Sequence, residues 1–380
     1  MERTVKTSLE TGYGNTIFYH RDYLQLFEED LLSFLDDKSY MRDFKFAKNM
    51  MMPEEIQANN NIEGITDDLS VIGDVMKNKK SSERVKPQIV NLYKGYRYIL
   101  THRQIDKESV RKLYAIISKD LLNEHDRTYM GKYYRTKPVY ILKGGRLDIA
   151  PYLGAPADKI DYYMNELFDY INSENPTLEI DNFIKSQVMH FYFVFIHPYF
   201  DMNGRTSRTL SMWYLLNQKT YPYIILNRAI AFDKQSYENK IIVARERGDI
   251  TLFLKYMMIQ VLKELEKEYV IGNIRQNAPY KISKEESQMI EYFISLNGNL
   301  TIKDLATMYN NYNSKRRILD ITTDRIDPLI EKGILINIGD TKKFITGTRH
   351  NSNLILNPEY IDVNPKILKY LKLGKYTKKR

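Results

Sequence analysis

The stretch from Asn182 to Ile196 carries Ile184, Val188, Phe191 and Phe195 at helical spacing and then runs into His197-Pro198. That combination constrains the fold more than any other part of the chain. Apolar residues at steps of four, three and four line one face of a helix, which needs a packing partner along its length. Pro198 has no backbone N–H to donate and biases the preceding residue away from helical backbone, so the helix is expected to stop near His197. Leu210, Trp213 and Tyr214 then share one face of a second helix, expected to start around Gly204. The sequence thus predicts a helical core around two helices joined by a tight loop.

The joining run, His197-Pro198-Tyr199-Phe200-Asp201-Met202-Asn203-Gly204-Arg205-Thr206-Ser207-Arg208, holds an imidazole, a carboxylate and two guanidinium groups. Loop amides at the positive end of a helix dipole cradle anions, and Asn203-Gly204 permits the tight backbone this needs. Arg205 and Arg208 are neighbours on the first helical turn, where their forks can meet phosphate oxygens. Magnesium binds through one or two carboxylates plus the phosphates of its substrate, so Asp201 alone suits a nucleotide-bound ion better than a permanent cage. His197 at the mouth can take a proton from a hydroxyl, which contributes roughly 10²–10⁴ in rate.

This run closely resembles the signature of the Fic family, His-Pro-Phe-x-Asp/Glu-Gly-Asn-Gly-Arg-x-x-Arg. The resemblance implies that His197 is the general base and Asp201 the magnesium ligand. Met202, Asn203 and Gly204 would lie in the phosphate-binding loop, with Arg205 and Arg208 on the distal phosphates. It implies transfer of AMP from ATP to a Ser, Thr or Tyr hydroxyl of a protein target, with self-modification and a homodimer as further expectations. Two positions depart from the pattern: Tyr199 stands for Phe, and Met202 for Gly. A side chain at position 202 would narrow the phosphate loop if that position needs a positive φ.

Residues 131–153 place two β-forming runs around Lys143-Gly144-Gly145, which predicts a hairpin. It resembles the Fic flap, in which Val139, Tyr140, Ile141 and Leu142 would pair with the target's backbone. Nearer the N-terminus, Asn59-Asn60-Asn61-Ile62-Glu63-Gly64 resembles the family's inhibitory motif, Ser/Thr-x-x-x-Glu-Gly/Asn, with Asn59 in the Ser/Thr position. By that resemblance Glu63 pairs with Arg208, occupying its fork and repelling the incoming anion. In some relatives the same glutamate positions water for removal of AMP. Residues 237–257 resemble the closing helices of the Fic core; Gly248 suits a helix C-terminus and Asp249 an N-cap. Tyr237 and Asn239 could approach the nucleotide, although packing is the more ordinary role for the tyrosine, as it is for His190.

The remaining sequence sets bounds. With 43% hydrophobic residues the 380-residue chain can fill ordinary cores, and it has no apolar run long enough to span a membrane. The N-terminus lacks a secretory signal, so a cytoplasmic protein is expected. The absence of cysteine excludes disulfides and cysteine-based zinc sites. The net charge of +9 is concentrated late, in Lys375-Tyr376-Thr377-Lys378-Lys379-Arg380, a run that reads as a solvated tail.

Gly272 and Pro279 within 271–279 suggest a boundary. The expected organisation is an N-terminal helical segment with the inhibitory motif over 1–100, a Fic catalytic core over 101–270, and a winged-helix-like unit with a basic tail over 271–380. In that last unit Ser283–Ile294 reads as a helix and Thr301 as the cap of a second. Ile321–Ile334 reads as a third helix complicated by Pro328, and Leu335–Gly347 as a short wing. Lys315-Arg316-Arg317 and Arg325 could contact DNA, but a docking or dimer-contact module is favoured. The fold class is therefore mainly α, with a Fic-type helical core, a β-hairpin flap and a small winged-helix-like domain. The alternatives to AMP transfer are removal of AMP, another phosphate transfer at the same site, or a DNA-binding regulator with an inactive core.

Overall fold

The computed structural model describes residues 3–11, 14–35, 52–77, 85–141, 152–174, 176, 178–220, 225–296, 300–338, 353–361 and 369–371. An antiparallel hairpin, β1 (Thr4–Glu10) with β2 (Thr16–His20), comes first, in a segment expected to be helical. Leu9, Ile17 and Tyr19 bury while their neighbours stay more exposed, which is the two-residue period of a strand. Phe18 extends the pairing to a distant segment, donating to Gly248 O and accepting from Ile250 N, a contact that no local pattern announces.

Helices α1 (Gln25–Leu35), α2 (Met52–Ile62), α3 (Leu69–Met76), α4 (Pro87–Thr101), α5 (Lys107–Ile117) and α6 (Glu124–Thr128) follow. A short antiparallel pair, β3 (Tyr140–Ile141) with β4 (Tyr152–Leu153), sits where the flap is expected, and Leu142 and the Lys143-Gly144-Gly145 turn lie outside the described residues. The helical core is completed by α7 (Ile160–Asn172), α8 (Glu179–Ile196), α9 (Asn203–Asn217), α10 (Leu226–Ala231), α11 (Lys234–Arg247) and α12 (Thr251–Asn277).

Local chemistry explains the helix ends. Pro87 opens α4, where its missing N–H costs nothing, and Asp106 and Ser109 cap α5 reciprocally. Gly248 ends α11 at φ 74°, and Asp249 Oδ1 accepts from both the N–H and the hydroxyl of Thr251 at the start of α12. At the centre, α8 and α9 pack against each other. Nearly every α9 side chain from Arg205 to Leu215 is buried, which marks the middle of a core rather than a surface helix.

The proposed boundary at 271–279 is no linker, because α12 runs on to Asn277. Leu265 belongs to the first hydrophobic core, and Val270, Ile271 and Ile274 to a second, so one helix serves both. The second core gathers α13 (Lys284–Ser295), β5 (Leu300–Thr301), α14 (Ile302–Tyr312), α15 (Ile318–Ile321) and α16 (Asp327–Glu331), with β6 (Leu335–Asn337) and β7 (Asn353–Leu356) beside them. The strands are antiparallel in the order β5-β7-β6. Ser283 with Glu286 caps α13, and Thr301 with Asp304 caps α14. The expected third helix forms over residues 318–331, running from α15 through a π turn at Thr322–Ile326 into α16, whose first turn holds Pro328. Residues 339–352, which include most of the expected wing, and the basic tail at 375–380 lie outside the described residues. No helix among the described residues is long and apolar enough to cross a membrane.

Replacing Asp106 by Ala removes the half of the α5 capping box in which Asp106 Oδ1 accepts from Ser109 N–H, and is expected to cost about 1 kcal/mol. A denaturant midpoint that falls at unchanged m-value checks this.

Candidate active site

Helix α8 ends as Pro198 requires: His197 turns into left-handed backbone, φ 53° and ψ 60°, while its N–H still reaches Phe193 O. The imidazole is thereby aimed out of the helix into a cavity of about 200 Å³. Its Nδ1 lies 3.3 Å from Val194 O, which leaves Nε2 for the cavity when Nδ1 carries the proton. Burial, reinforced by Arg135 and Arg245, pushes the His197 pKa down to about 3. The ring is neutral, as a base must be.

Met202 stands in left-handed backbone at φ 64° and starts α9 as its N-cap residue. This is the position where the resemblance puts glycine, and an L side chain there costs of order 1–2 kcal/mol. The Met202 side chain is buried and packs into the first core, a gain that opposes the strain. Asn203 locks the turn: its Nδ2 donates to Tyr199 O (2.8 Å) and its Oδ1 accepts from Tyr199 N–H (3.0 Å). The Asn203 side chain is thus spent on holding the loop, even though the residue also lines the cavity. Tyr199 stacks on Tyr114 with ring centroids 3.5 Å apart, as a phenylalanine could, but its hydroxyl is buried without a partner.

Asp201 is exposed at the cavity rim, with Oδ1 accepting from Met202 N–H (2.6 Å). No three His, Asp or Glu side chains gather as a metal cage among the described residues. A single rim carboxylate beside a helix N-terminus fits an ion that arrives with a polyphosphate, as magnesium does.

The two arginines divide. Arg208 lines the cavity and is 2% exposed; Nη2 donates to Glu63 Oε1 (2.6 Å) and Nε to Asn59 Oδ1 (2.8 Å). Burial opposes ionisation of the Glu63 carboxyl, but Arg208 and then Arg205 outweigh it and hold its pKa below the usual carboxylate range. Gly204 makes room for this pair, since a Cβ there would stand 2.7 Å from Glu63 Oε1. Arg205 is not part of the cavity wall; its guanidinium is buried, with Nε and Nη1 unpartnered. Burial lowers its pKa, against the pull of Glu63 and Asp201.

Several residues that the sequence did not single out build the surroundings. Arg135 donates to the carbonyls of His197 (2.9 Å), Lys137 (2.7 Å) and Ala155 (2.6 Å), tying both legs of the flap to the end of α8. Arg245 does the same from α11, through Phe195 O and Leu153 O. Val139 O accepts from Gly154 N–H, Tyr140 is exposed, and Ile141 reaches the cavity. Tyr237, Glu238, Ile241 and Ile242 of α11 close the far wall, while Asn239 does not line it. His190 packs against Tyr237, its Nε2 2.6 Å from the hydroxyl, in the packing role expected of both. Lone arginines carry no periodic signal, which is why Arg135 and Arg245 were not legible.

Of the candidate DNA contacts in the C-terminal unit, Arg316 pairs with Asp324, and Arg317 with Asp320.

Known proteins resemble this chain over the region that holds the site. Residues 104–215 match the model of the Fic/DOC family. The protein adenylyltransferase Fic of Drosophila mojavensis is 28% identical over 280 residues, 70% of this chain and 52% of that protein. The protein adenylyltransferase fic-1 of Caenorhabditis elegans is 24% identical over 172 residues, 43% of this chain and 28% of that one. The chain therefore spans about half, or less, of the curated relatives it matches. A crystal structure of a Fic family protein from Desulfovibrio desulfuricans G20 superposes with a TM-score of 0.55 over 88% of this chain and 96% of that one, at 16% identity, a likeness of fold. Residues 104–215 thus resemble a Fic domain, and the mainly helical fold is like that of the Desulfovibrio protein.

Tyr199→Phe removes a buried unpaired hydroxyl and keeps the stack on Tyr114, so it is expected to stabilise the protein by about 1 kcal/mol in denaturant melts. Burial, with help from Arg208, holds the His190 pKa at about 3. Its folded pKa lies below the unfolded one, so the stability it contributes is full above about pH 6.5 and is lost as pH falls towards about 3. From pH 7 to 5 the loss is about 2 kcal/mol. A His190→Gln variant should lack that part of the pH dependence.

Proposed function

We propose that this chain is a protein adenylyltransferase: it transfers AMP from ATP to a Ser, Thr or Tyr hydroxyl of a protein, and Glu63 inhibits it. The observation that carries the reading is the convergence of the His197 ring, the α9 N-terminus, Asp201 and Arg208 on one cavity that Glu63 partly fills. The names of the Drosophila and Caenorhabditis relatives support AMP transfer.

The geometry divides the labour. Backbone N–H groups at the start of α9, with Arg208, bind the phosphates that leave. Asp201 would hold magnesium, which neutralises charge on the bound triphosphate. Neutral His197 takes the proton from the acceptor hydroxyl as its oxygen attacks the α-phosphorus. The bond from that phosphorus to the β-phosphate bridge then breaks, and pyrophosphate leaves. The exposed β3–β4 edge offers main-chain groups to an extended target segment, which selects backbone shape more than sequence.

Inhibition follows from charge. Arg208 cannot serve the distal phosphates while its Nη2 is bonded to Glu63, and an ionised carboxylate in the cavity repels the triphosphate. Asn59 supports the brake: its Oδ1 accepts from Arg208 and its Nδ2 donates to Tyr96 OH (3.1 Å). A cytoplasmic location, a homodimer and self-modification belong to the same proposal.

Glu63→Gly is expected to raise self-modification by labelled ATP at least several-fold, and His197→Ala to lower it by roughly 10²–10⁴. Intact mass decides the chemistry. A gain of one AMP moiety supports the reading, whereas a gain of one phosphate, or labelling by the His197 variant, contradicts it.

A further inference from the structure

Helix α2, which delivers Glu63, is poor in apolar residues: Met52-Pro53-Glu54-Glu55-Ile56-Gln57-Ala58-Asn59-Asn60-Asn61-Ile62. Ile56, Ala58 and Ile62 bury in the first core, and directional polar contacts from the rest of the helix run to two different bodies. Towards the catalytic core, Glu55 accepts from Asn227 N–H (3.0 Å), Asn227 Nδ2 (2.9 Å) and Arg228 N–H (3.3 Å), while Asn59 bonds Tyr96 and Arg208.

Towards the C-terminal unit, Gln57 sits in a buried amide ladder. Its Nε2 donates to Asn313 Oδ1 (3.0 Å), its Oε1 accepts from Gln288 Nε2 (2.7 Å), and Asn313 Nδ2 donates on to Tyr292 OH (2.8 Å). Gln57, Gln288 and Asn313 are all buried. Just past the helix, Asp68 Oδ1 accepts from Tyr309 OH (3.3 Å) and Ser314 N–H (3.2 Å). Lys284 pairs with Glu54 at 3.7 Å. None of these contacts is needed for phosphate binding or proton transfer.

The seam is also imperfectly filled. Cavities of about 60 and 20 Å³ lie along it, both bounded by Glu54, Arg228, Gln288 and Glu291. Glu54 Oε2, Asn61 Oδ1 and Arg228 Nε are buried there or next to it without partners. Polar, partly void contacts open more readily than a packed apolar core.

We propose that the C-terminal unit is a clamp on the inhibitory helix: its grip on Gln57 and Asp68 fixes the position of α2 that sets Glu63 against Arg208, and loosening that grip frees the site. The inference rests on Glu63 being the brake, as read above. A helix rises about 1.5 Å per residue, so Gln57 lies about 9 Å along the rod from Glu63 and moves with it. Because Arg208 makes one arrangement with Glu63 and another with a phosphate, a shift of α2 selects between two states.

The test uses Gln288→Ala and Asn313→Ala in the full chain, each alone and combined with Glu63→Gly. Hydrogen exchange over residues 52–62 and self-modification with labelled ATP are followed together. The clamp predicts faster exchange in 52–62, by about tenfold or more, with exchange in 182–196 unchanged. It also predicts a several-fold rise in labelling when Glu63 is present and less than a twofold change when Glu63 is absent. Unchanged exchange in both variants overturns the clamp. So does unchanged labelling of both in the presence of Glu63 while Glu63→Gly is active, or an equal effect with and without Glu63. If Glu63→Gly labels nothing, the adenylyltransferase reading fails instead, and the exchange rates alone decide whether the C-terminal unit holds α2.

Discussion

Arg208 is a guanidinium buried where helix α2 meets the loop between α8 and α9, and the rest of the arrangement depends on its being satisfied there. A buried cation without partners is severely costly, so each state of the protein must supply an anion or acceptors to it. In this structure Glu63 and Asn59 do so, and both come from α2. Despite its burial, Arg208 has its pKa raised by Glu63 first and then Tyr237. The same fork that would grip a phosphate is what draws α2 onto the core. Pairing with Glu63 and pairing with a phosphate are therefore alternative solutions to one electrostatic requirement.

Around that requirement the fold supplies rigidity where chemistry needs it. The loop between α8 and α9 is fixed from inside by Asn203 and from outside by Arg135, which also ties down the flap. His197 and Met202, in left-handed backbone, mark the two ends of the loop and are tolerated because their neighbours are so well packed. The control side is built differently. Helix α2 is attached through amides and carboxylates along a seam with unpaired atoms, suited to an element that changes place.

How much of this was legible in the sequence depends on range. The α8 face, its stop at Pro198, the Gly248 terminus and the Thr301 cap are set by residues within a few positions of each other, and they read directly. The active-site loop was legible because its residues are consecutive. Long-range features were not. The β1–β2 hairpin leans on Gly248 and Ile250, more than two hundred residues away, and α12 runs past Gly272 because Val270, Ile271 and Ile274 find a second core. The site held surprises of the same kind: Asn203 turned inward to lock the loop, Arg205 left the cavity wall, and Asn59 took up a bond from Arg208. A composition or motif shows which groups are present, but only packing decides which of their atoms remain free.

The central claim is that one loop between two buried helices holds a triphosphate with its α-phosphorus facing His197. The most direct measurement is a crystal structure of the Glu63→Gly protein with magnesium and an ATP analogue that cannot be cleaved between the α- and β-phosphates. The account predicts phosphate oxygens on the α9 N-terminal amides and on Arg208, with the His197 ring on the open side of the α-phosphorus. A nucleotide bound elsewhere, or seated with Arg208 turned away and His197 out of reach of any acceptor path, would contradict it.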